Sequence, residues 1–172
     1  MPFQMALDEI LFRRMEQSER SENETPILRF YYSAGSWLTV GYSHPRAESN
    51  GSKIPTCRRM TGGGVVQHGK DIIFSLIARK KHDESFGSVR VSYWKIHEAV
   101  KRGLEIVGRP PRFFRCDEKL ERGQDCFLNP IATDLALGNQ KVAGGAQKRS
   151  SGTLLHQESV QIPDQIESED LI

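Results

Sequence analysis

Two arginines, three consecutive glycines and a histidine fall between positions 58 and 68, in the run Cys57-Arg-Arg-Met-Thr-Gly-Gly-Gly-Val-Val-Gln-His68. Ordering three adjacent glycines forfeits more chain entropy than ordering any other tripeptide, so in a folded protein such a run marks positive φ or a close approach of backbone to something else. Gly62, Gly63 and Gly64 let backbone N–H groups turn toward a carboxylate or phosphate, and Arg58 and Arg59 add forked, permanently charged donors beside them. A tight hairpin with two solvated arginines is the competing reading of the same residues. The run is neither a Walker loop, since no Gly-Lys-Ser/Thr closes it, nor a Gly-x-Gly-x-x-Gly dinucleotide fingerprint.

A second glycine-rich bend follows a lysine, in Lys141-Val-Ala-Gly144-Gly145-Ala-Gln. A lone amine there could neutralise charge developing on an acyl carbonyl. Alternatively Lys141 is a surface hairpin residue, and on either reading its replacement by alanine is expected to leave the fold nearly unchanged. Asp134, earlier in the same unit, would orient the amine or merely end a turn. His68 and His156 have the chemistry for acid–base work or metal binding, but no carboxylate or cysteine stands at ligand spacing, which argues against zinc. The three cysteines, Cys57, Cys116 and Cys126, are too few and too widely spaced for a disulfide framework or a zinc pair. Cys126 follows a segment carrying Arg115, Lys119 and Arg122, a setting that lowers a thiol pKa, although a free cysteine serves equally as a small buried hydrophobe. Cys57 and Cys116 are assigned no catalytic role.

The elements that must position these groups can be traced in order. Phe3, Ala6, Leu7, Ile10 and Leu11 recur at helical spacing and predict a helix with that stripe inward. Residues 27–32 and 37–42 are rich in β-formers, and the small polar residues between them predict a hairpin. Residues 72–78 read as a buried strand, and 79–90 as a charged connection. Ser92 is expected to cap a helix carrying Tyr93, Ile96, Val100, Leu104 and Val107, closed at Gly108; His97 beside that stripe reads as structural. Residues 111–124 read as a mobile loop. Gly138-Asn139 predicts a two-residue turn between 131–137 and 140–143, which would bring Asp134 and Lys141 together, and 153–160 reads as a further strand.

A chain of 172 residues suits one domain, 1–172, without an accessory domain. The near balance of 24 basic against 22 acidic residues argues against a general nucleic-acid or membrane binder. No apolar run approaches membrane-spanning length, and acidic residues interrupt the first segment where a secretory leader would be apolar, so a soluble cytoplasmic protein is expected.

Taken in order, Met5-Ala-Leu-Asp-Glu, Leu28-Arg-Phe-Tyr, Val40-Gly-Tyr, the Arg58 to His68 run, Asp71-Ile-Ile-Phe-Ser and Lys141-Val-Ala-Gly-Gly-Ala-Gln resemble the biotin/lipoate protein ligase superfamily, which includes lipoate-protein ligases and octanoyltransferases. The resemblance runs from Met5 to about Val160. It implies an α+β fold, a mixed, largely antiparallel β-sheet flanked by helices, of the class II biotin/lipoate-ligase-like type. The glycine loop would lie over an acyl group and Lys141 at its carbonyl, making Arg58, Arg59, Gly62, Gly63, Gly64, His68, Asp134, Gly144, Gly145 and His156 substrate-binding. Gly69 departs from the acidic residue that often follows the histidine in that family. The Cys126-Phe-Leu-Asn-Pro segment is similar to that of members that carry the acyl group on a cysteine, which implies Cys126 as nucleophile and an octanoyl/lipoyl transferase needing no cofactor. The implied partners are a lipoyl carrier domain, such as glycine cleavage H protein or a 2-oxoacid dehydrogenase lipoyl domain, and acyl carrier protein as donor. An ATP- and Mg-dependent ligase transferring lipoate or octanoate is the alternative, and a non-catalytic binder of lipoyl domains a third.

Overall fold

The computed structural model describes residues 1–18, 25–45, 53–114 and 133–162. Its elements are α1 (Pro2–Gln17), β1 (Ile27–Tyr31), β2 (Trp37–Val40), β3 (Thr56–Arg58), β4 (Val65–His68), β5 (Ile72–Arg79), α2 (Val89–Ile106), β6 (Arg112–Phe113), β7 (Leu135–Leu137), β8 (Gln140–Ser150) and β9 (Thr153–Val160). Six strands form an antiparallel sheet in the order β1-β5-β9-β8-β7-β6, and three form a smaller sheet in the order β3-β2-β4. One pair, β2 with β3, is parallel, so the fold is the mixed, largely antiparallel α+β type expected.

Alternation along β5 assigns the two faces of the large sheet. Ile73 and Ile77 face α1, packing with Met5, Tyr31, Phe12, Met15 and Leu155, whereas Phe74 faces α2 and joins Ile96, Leu104, Val142 and Val160. Strand β9 is buried along its whole length, as a central strand covered on both faces must be.

Three local expectations need correction. The buried residues of α1 are Met5, Asp8, Phe12 and Met15, while Phe3 and Ile10 are 74% and 60% exposed. The helix is rotated from the apolar stripe because Asp8 is an inward residue: its carboxylate pairs with Arg29 and accepts hydrogen bonds from Ser75 Oγ at 2.7 Å, Gln157 Nε2 at 2.7 Å and Tyr31 Oη at 3.0 Å. A buried acid with four donors outweighs the apolar pattern. The expected hairpin of residues 27–42 does not form either, since β1 pairs with β5 in the large sheet and β2 with β3 and β4 in the small one. The intervening turn carries the chain between sheets. Helix α2 starts earlier than expected, with Ser88 as its cap accepting from the Val91 N–H at 3.4 Å, and Ser92 lies inside it.

The Gly138-Asn139 turn forms as expected, with Gly138 at φ +55° and Leu137 paired with Gln140. Strand β7 pairs with β8 only through Gln140, Lys141 and Ala143. Beyond Ala143, among the described residues, β8 is bordered by β9 alone, so Gly144 and Gly145 lie on an open sheet edge.

Candidate active site

A cavity of about 350 Å³ lies where that open edge meets the small sheet. Its walls come from both faces of the large sheet, because nothing described closes β8 beyond Ala143: Met5, Tyr31 and Ile73 on the α1 side, Tyr93 and Glu158 on the α2 side. The loop after β3 supplies Arg59 and Gly62 to Gly64, and the β8 hairpin supplies Lys141, Gly144 and Gly145.

The glycine loop is held from the cavity side by Arg59. Its guanidinium donates to the carbonyls of Gly62 at 2.8 Å, Gly64 at 3.0 Å and Thr39 at 3.0 Å, and to Thr39 Oγ1 at 3.1 Å. Gly63 takes φ +90°, and its carbonyl sits where a Cβ on Gly41 would be, so the loop lies directly on the end of β2. Arg58 points the other way: its Nη1 donates to the carbonyls of Gly41, Tyr42 and His44 at 2.7, 2.8 and 2.9 Å and does not reach the cavity. Of the two arginines, then, one braces the loop from the cavity side and the other fixes the turn after β2.

Lys141 is 8% exposed, and its Nζ lies 2.7 Å from Asp134 Oδ2. It is therefore not the surface hairpin lysine that the sequence left open. A Cβ on Gly144 would overlap its Cε and Nζ, which explains a glycine at that place on the strand. His68 contributes to the cavity wall but is tethered, with Thr39 Oγ1 2.8 Å from Nε2 and Asp71 Oδ2 2.6 Å from Nδ1. Asp71 also accepts from Ser159 Oγ at 2.7 Å and the Gly69 N–H at 3.0 Å. Burial alone would raise the Asp71 carboxyl, but His68, Ser159 and Gly69 together hold it below the ordinary carboxylate range.

The match to known proteins now has a site to attach to. Residues 1–163 match the family model of the lipoyl protein ligase A/B catalytic domain. The chain belongs to this family. Among its curated relatives, the octanoyltransferase LipM of Exiguobacterium sibiricum is 33% identical over 171 residues, covering 91% of this chain and 60% of the relative. That of Oceanobacillus iheyensis is 29% identical over 169 residues, covering 95% and 60%. The chain therefore spans about three fifths of the length of these relatives. Among solved structures, the bi-partite lipoate protein ligase of Thermoplasma acidophilum superposes with a TM-score of 0.63 at 25% identity, over 94% of this chain and 57% of that one. A lipoate-protein ligase A bound with ATP gives 0.68 at 23% identity, over 94% and 62%, which establishes a common fold. No helix of the described residues is long and apolar enough to cross a membrane.

Within this lipoyl protein ligase A/B domain, one cluster escaped the sequence reading. His156 does not wall the cavity; it is wholly buried with His97 and Glu158 on the α2 side of β9. Glu158 Oε2 lies 2.9 Å from His97 Nε2 and 2.7 Å from His156 Nε2. A Cβ on Gly145 would overlap Glu158 Oε2 and the His156 ring, so each glycine of the pair makes room for a different buried ion. The local signal for this cluster was only two isolated histidines and a glutamate, with His97 a helix away.

Three ligand-type atoms within 4.8 Å of one another have the chemistry of a metal site, but the protons are otherwise assigned. Arg149 Nε donates to Gln147 Oε1 at 3.0 Å, which turns the amide Nε2 toward His156 Nδ1 at 3.2 Å and makes that nitrogen an acceptor. His156 then carries its proton on Nε2 and donates a hydrogen bond through it to Glu158, leaving no lone pair for a metal. His97 Nδ1 donates to the Thr133 carbonyl while Nε2 donates to Glu158, so the ring is an imidazolium. Burial opposes that charge, yet Glu158 and Asp134 raise His97 above its usual value. Burial lowers His156, in keeping with a neutral ring. Glu158, which burial alone would raise, is held at about 2 by the two histidines. The neighbouring Tyr93 phenol is pushed up to about 12, first by burial and then by Glu158.

Cys126, the expected nucleophile, lies outside the described residues, as does Cys116. Cys57 is half-buried on β3, and burial pushes its thiol up, the opposite of an activated thiolate.

Proposed function

We propose that this domain transfers an octanoyl or lipoyl group to a lysine of a lipoyl carrier domain by way of a thioester on Cys126. The observation that carries the proposal is the buried Lys141 ammonium, fixed by Asp134 on the wall of a glycine-lined cavity. A cation preorganised in a site of low water content stabilises an oxyanion far better than one in solvent. The acyl chain lies against Met5, Ile73 and Val66, with its carbonyl oxygen at Lys141 Nζ.

In the first step the Cys126 thiol gives up its proton and its sulfur attacks the donor thioester; the new C–S bond forms, the old one breaks, and the carrier sulfur leaves and takes up that proton. In the second step the acceptor lysine, as its neutral amine, attacks the same carbonyl carbon; an amide forms, the C–S bond to Cys126 breaks, and the surplus proton of the amine goes to the leaving sulfur. Thioester cleavage drives both steps, so ATP is not required. Acyl carrier protein is the donor, and the carrier domains of glycine cleavage H protein and 2-oxoacid dehydrogenases are the acceptors. The likeness to curated octanoyltransferases supports this reading over the ATP- and Mg-using ligase and over a non-catalytic binder. A cytoplasmic location follows from those partners.

Intact mass after incubation with octanoyl acyl carrier protein tests the proposal. An octanoyl adduct is expected on the wild-type chain and on Cys57→Ser and Cys116→Ser, and none on Cys126→Ser. Pyrophosphate released from ATP only when octanoate is added would mark the ligase instead, and neither signal would mark the binder.

A further inference from the structure

Strand β8 carries part of the site and is paired on both sides for only a third of its length. Residues 140–143 lie between β7 and β9, whereas residues 144–150 have β9 on one side and, among the described residues, no strand on the other. All seven are half-buried, while β9 beside them is buried throughout. The ladder decides which groups the free side presents, because in an antiparallel pair the backbone N–H and C=O of alternate residues point to opposite edges. The Val142 carbonyl accepts from the Gln161 N–H at 2.7 Å, on the β9 side. Even-numbered residues of β8 therefore turn toward β9, and Gly145, Gln147 and Arg149 turn outward. The Gln147 N–H accordingly meets the Tyr93 phenol on that edge.

A free edge of this kind accepts another polypeptide in extended conformation through main-chain hydrogen bonds. Gly144, Gly145 and Ala146 have no side chain long enough to obstruct one, and the single hydroxyl at Gln147 makes the contact that a strand carbonyl would replace. Two observations identify the occupant. The first is reach: neighbouring strands lie about 4.8 Å apart, and a lysine spans about 6 Å from Cα to Nζ across five bonds of about 1.5 Å. Lys141 Nζ lies 2.5 Å from where a Cβ on Gly144 would be, so the carbonyl assigned to it is within one lysine's length of a strand added to β8. Successive side chains of that strand alternate in face, and those opposite Gly144 and Ala146 enter on the Lys141 side rather than the Glu158 side. The second is charge. Lys148 Nζ stands 5.4 Å from the Tyr42 ring centroid, and Arg149 donates to Gln147 Oε1, Ser92 Oγ and the carbonyls of Phe86 and Ser88, so among the described residues neither cation meets a carboxylate.

We propose that the edge of β8 from Gly145 to Arg149 is the docking strand for the acceptor protein. An extended segment bearing the target lysine adds to the large sheet there, its acidic residues complement Lys148 and Arg149, and its lysine passes over Gly144 to the acyl carbonyl. This inference rests on the acyl-transfer reading and names the surface that selects the acceptor. The contact is one of recognition, and no covalent bond is made or broken by it.

Amide hydrogen exchange resolved by residue, on the wild-type protein with and without unmodified glycine cleavage H protein, tests the docking without any variant. The amides of Gly145 and Arg149 should exchange about tenfold more slowly or better in the complex, while those of Gly144, Ala146 and Lys148, already directed at β9, change little. Lys148→Glu should raise the KM for H protein about tenfold and alter kcat far less, a split that a merely structural lysine would not give. Protection centred on α1, α2 or β1 with Gly145 and Arg149 unchanged, or an unchanged KM in Lys148→Glu, would overturn the inference while leaving acyl transfer intact. Protection of the two amides that grows with this protein's own concentration in the absence of H protein would also overturn it, by making the edge a contact between two copies of the chain. Protection as expected with no octanoyl group reaching the H protein lysine would overturn the proposed function and leave the docking strand standing.

Discussion

Asp8 and Glu158 are both fully buried acids, yet they lie on opposite sides of the central sheet and are treated in opposite ways. On the α1 side Asp8 takes Arg29, Ser75, Tyr31 and Gln157, and Gln157 in turn accepts from Thr61 Oγ1 at 2.7 Å, tying the helix to the glycine loop. That network closes on itself. Burial, then the Asp8 charge, pushes the Tyr31 phenol well above its ordinary range, so Tyr31 stays a donor throughout the working pH range. On the α2 side two histidines share one oxygen of Glu158, and the other oxygen, equally enclosed, has no partner among the described residues. The two acids therefore differ in how completely their charge is met. A saturated carboxylate holds elements together, whereas one with an unpaired buried oxygen carries a desolvation cost that its remaining partners must offset.

The harshest test is to open a third acid artificially. Lys141→Met removes the cation paired with the buried Asp134 carboxylate, so it should cost about 3 kcal/mol of stability. It should also lower acyl transfer by about 10²–10³-fold, as loss of an oxyanion donor does. Urea unfolding and octanoyl transfer measured on the same samples check both. The stability loss is the sharper outcome, because the surface-lysine reading expects none; an unfolding midpoint equal to wild type would return Lys141 to the solvated hairpin.

Next in size is Asp8→Ala, which breaks the closed side. Arg29, Ser75, Tyr31 and Gln157 all lose an acceptor, and about 3 kcal/mol should go, with early loss of α1 seen as faster amide exchange in residues 5–15. If instead the helix is held mainly by Phe12 and Met15, exchange there will match the wild-type protein.

The open side can be probed through pH. His97 is raised above 6.5, so the stability it contributes as a cation is fully present below that value and fades as pH rises through its folded pKa. The stability gap between wild type and His97→Gln, from urea titrations, should therefore be widest near pH 5 to 6 and narrow toward pH 9. A gap that widened with pH would mean that His97 is neutral and that the proton count around Glu158 is wrong.

These three sites differ in how legible they were. Local pattern was enough for α2, β5, β9 and the Gly138 turn, because each is written in residues close together in the chain. The meeting of Gly62 to Gly64 with Lys141 and Gly144 was not local in this sense, and it was expected from the family resemblance. The inward phase of α1 was not legible, since Asp8 becomes an inward residue only when Arg29 and Gln157 arrive from other strands. For the same reason Glu158 passed unnoticed: its meaning depends on His97, 61 residues away, and on the open edge of β8. Arg58 and Arg59 could not be told apart because adjacent residues on β3 and its exit turn face opposite ways, and only the loop's closure on Gly41 decides which one braces it.

The smallest effect should come from Ser159→Ala, and it tests why the closed side tolerates damage. Ser159 lies next to Glu158 on β9 but faces α1, where its hydroxyl is one of three donors to Asp71. His68 and the Gly69 N–H remain after the substitution, so Asp71 keeps a partner on each oxygen and the cost should be about 1 kcal/mol, the net worth of one hydrogen bond. The pH dependence supplies the sign. Asp71 is held below its ordinary 3.8, so its contribution to stability is present above that value and lost as pH falls through the folded pKa. Removing one donor lets the carboxyl rise toward 3.8, and acid unfolding of Ser159→Ala should begin at a slightly higher pH than in the wild type. Acid unfolding unchanged from wild type would mean that the remaining two donors already saturate Asp71. A loss as large as that of Asp8→Ala would mean that the α1 side has no redundancy, and the distinction between a closed and an open acid would then rest on Glu158 alone.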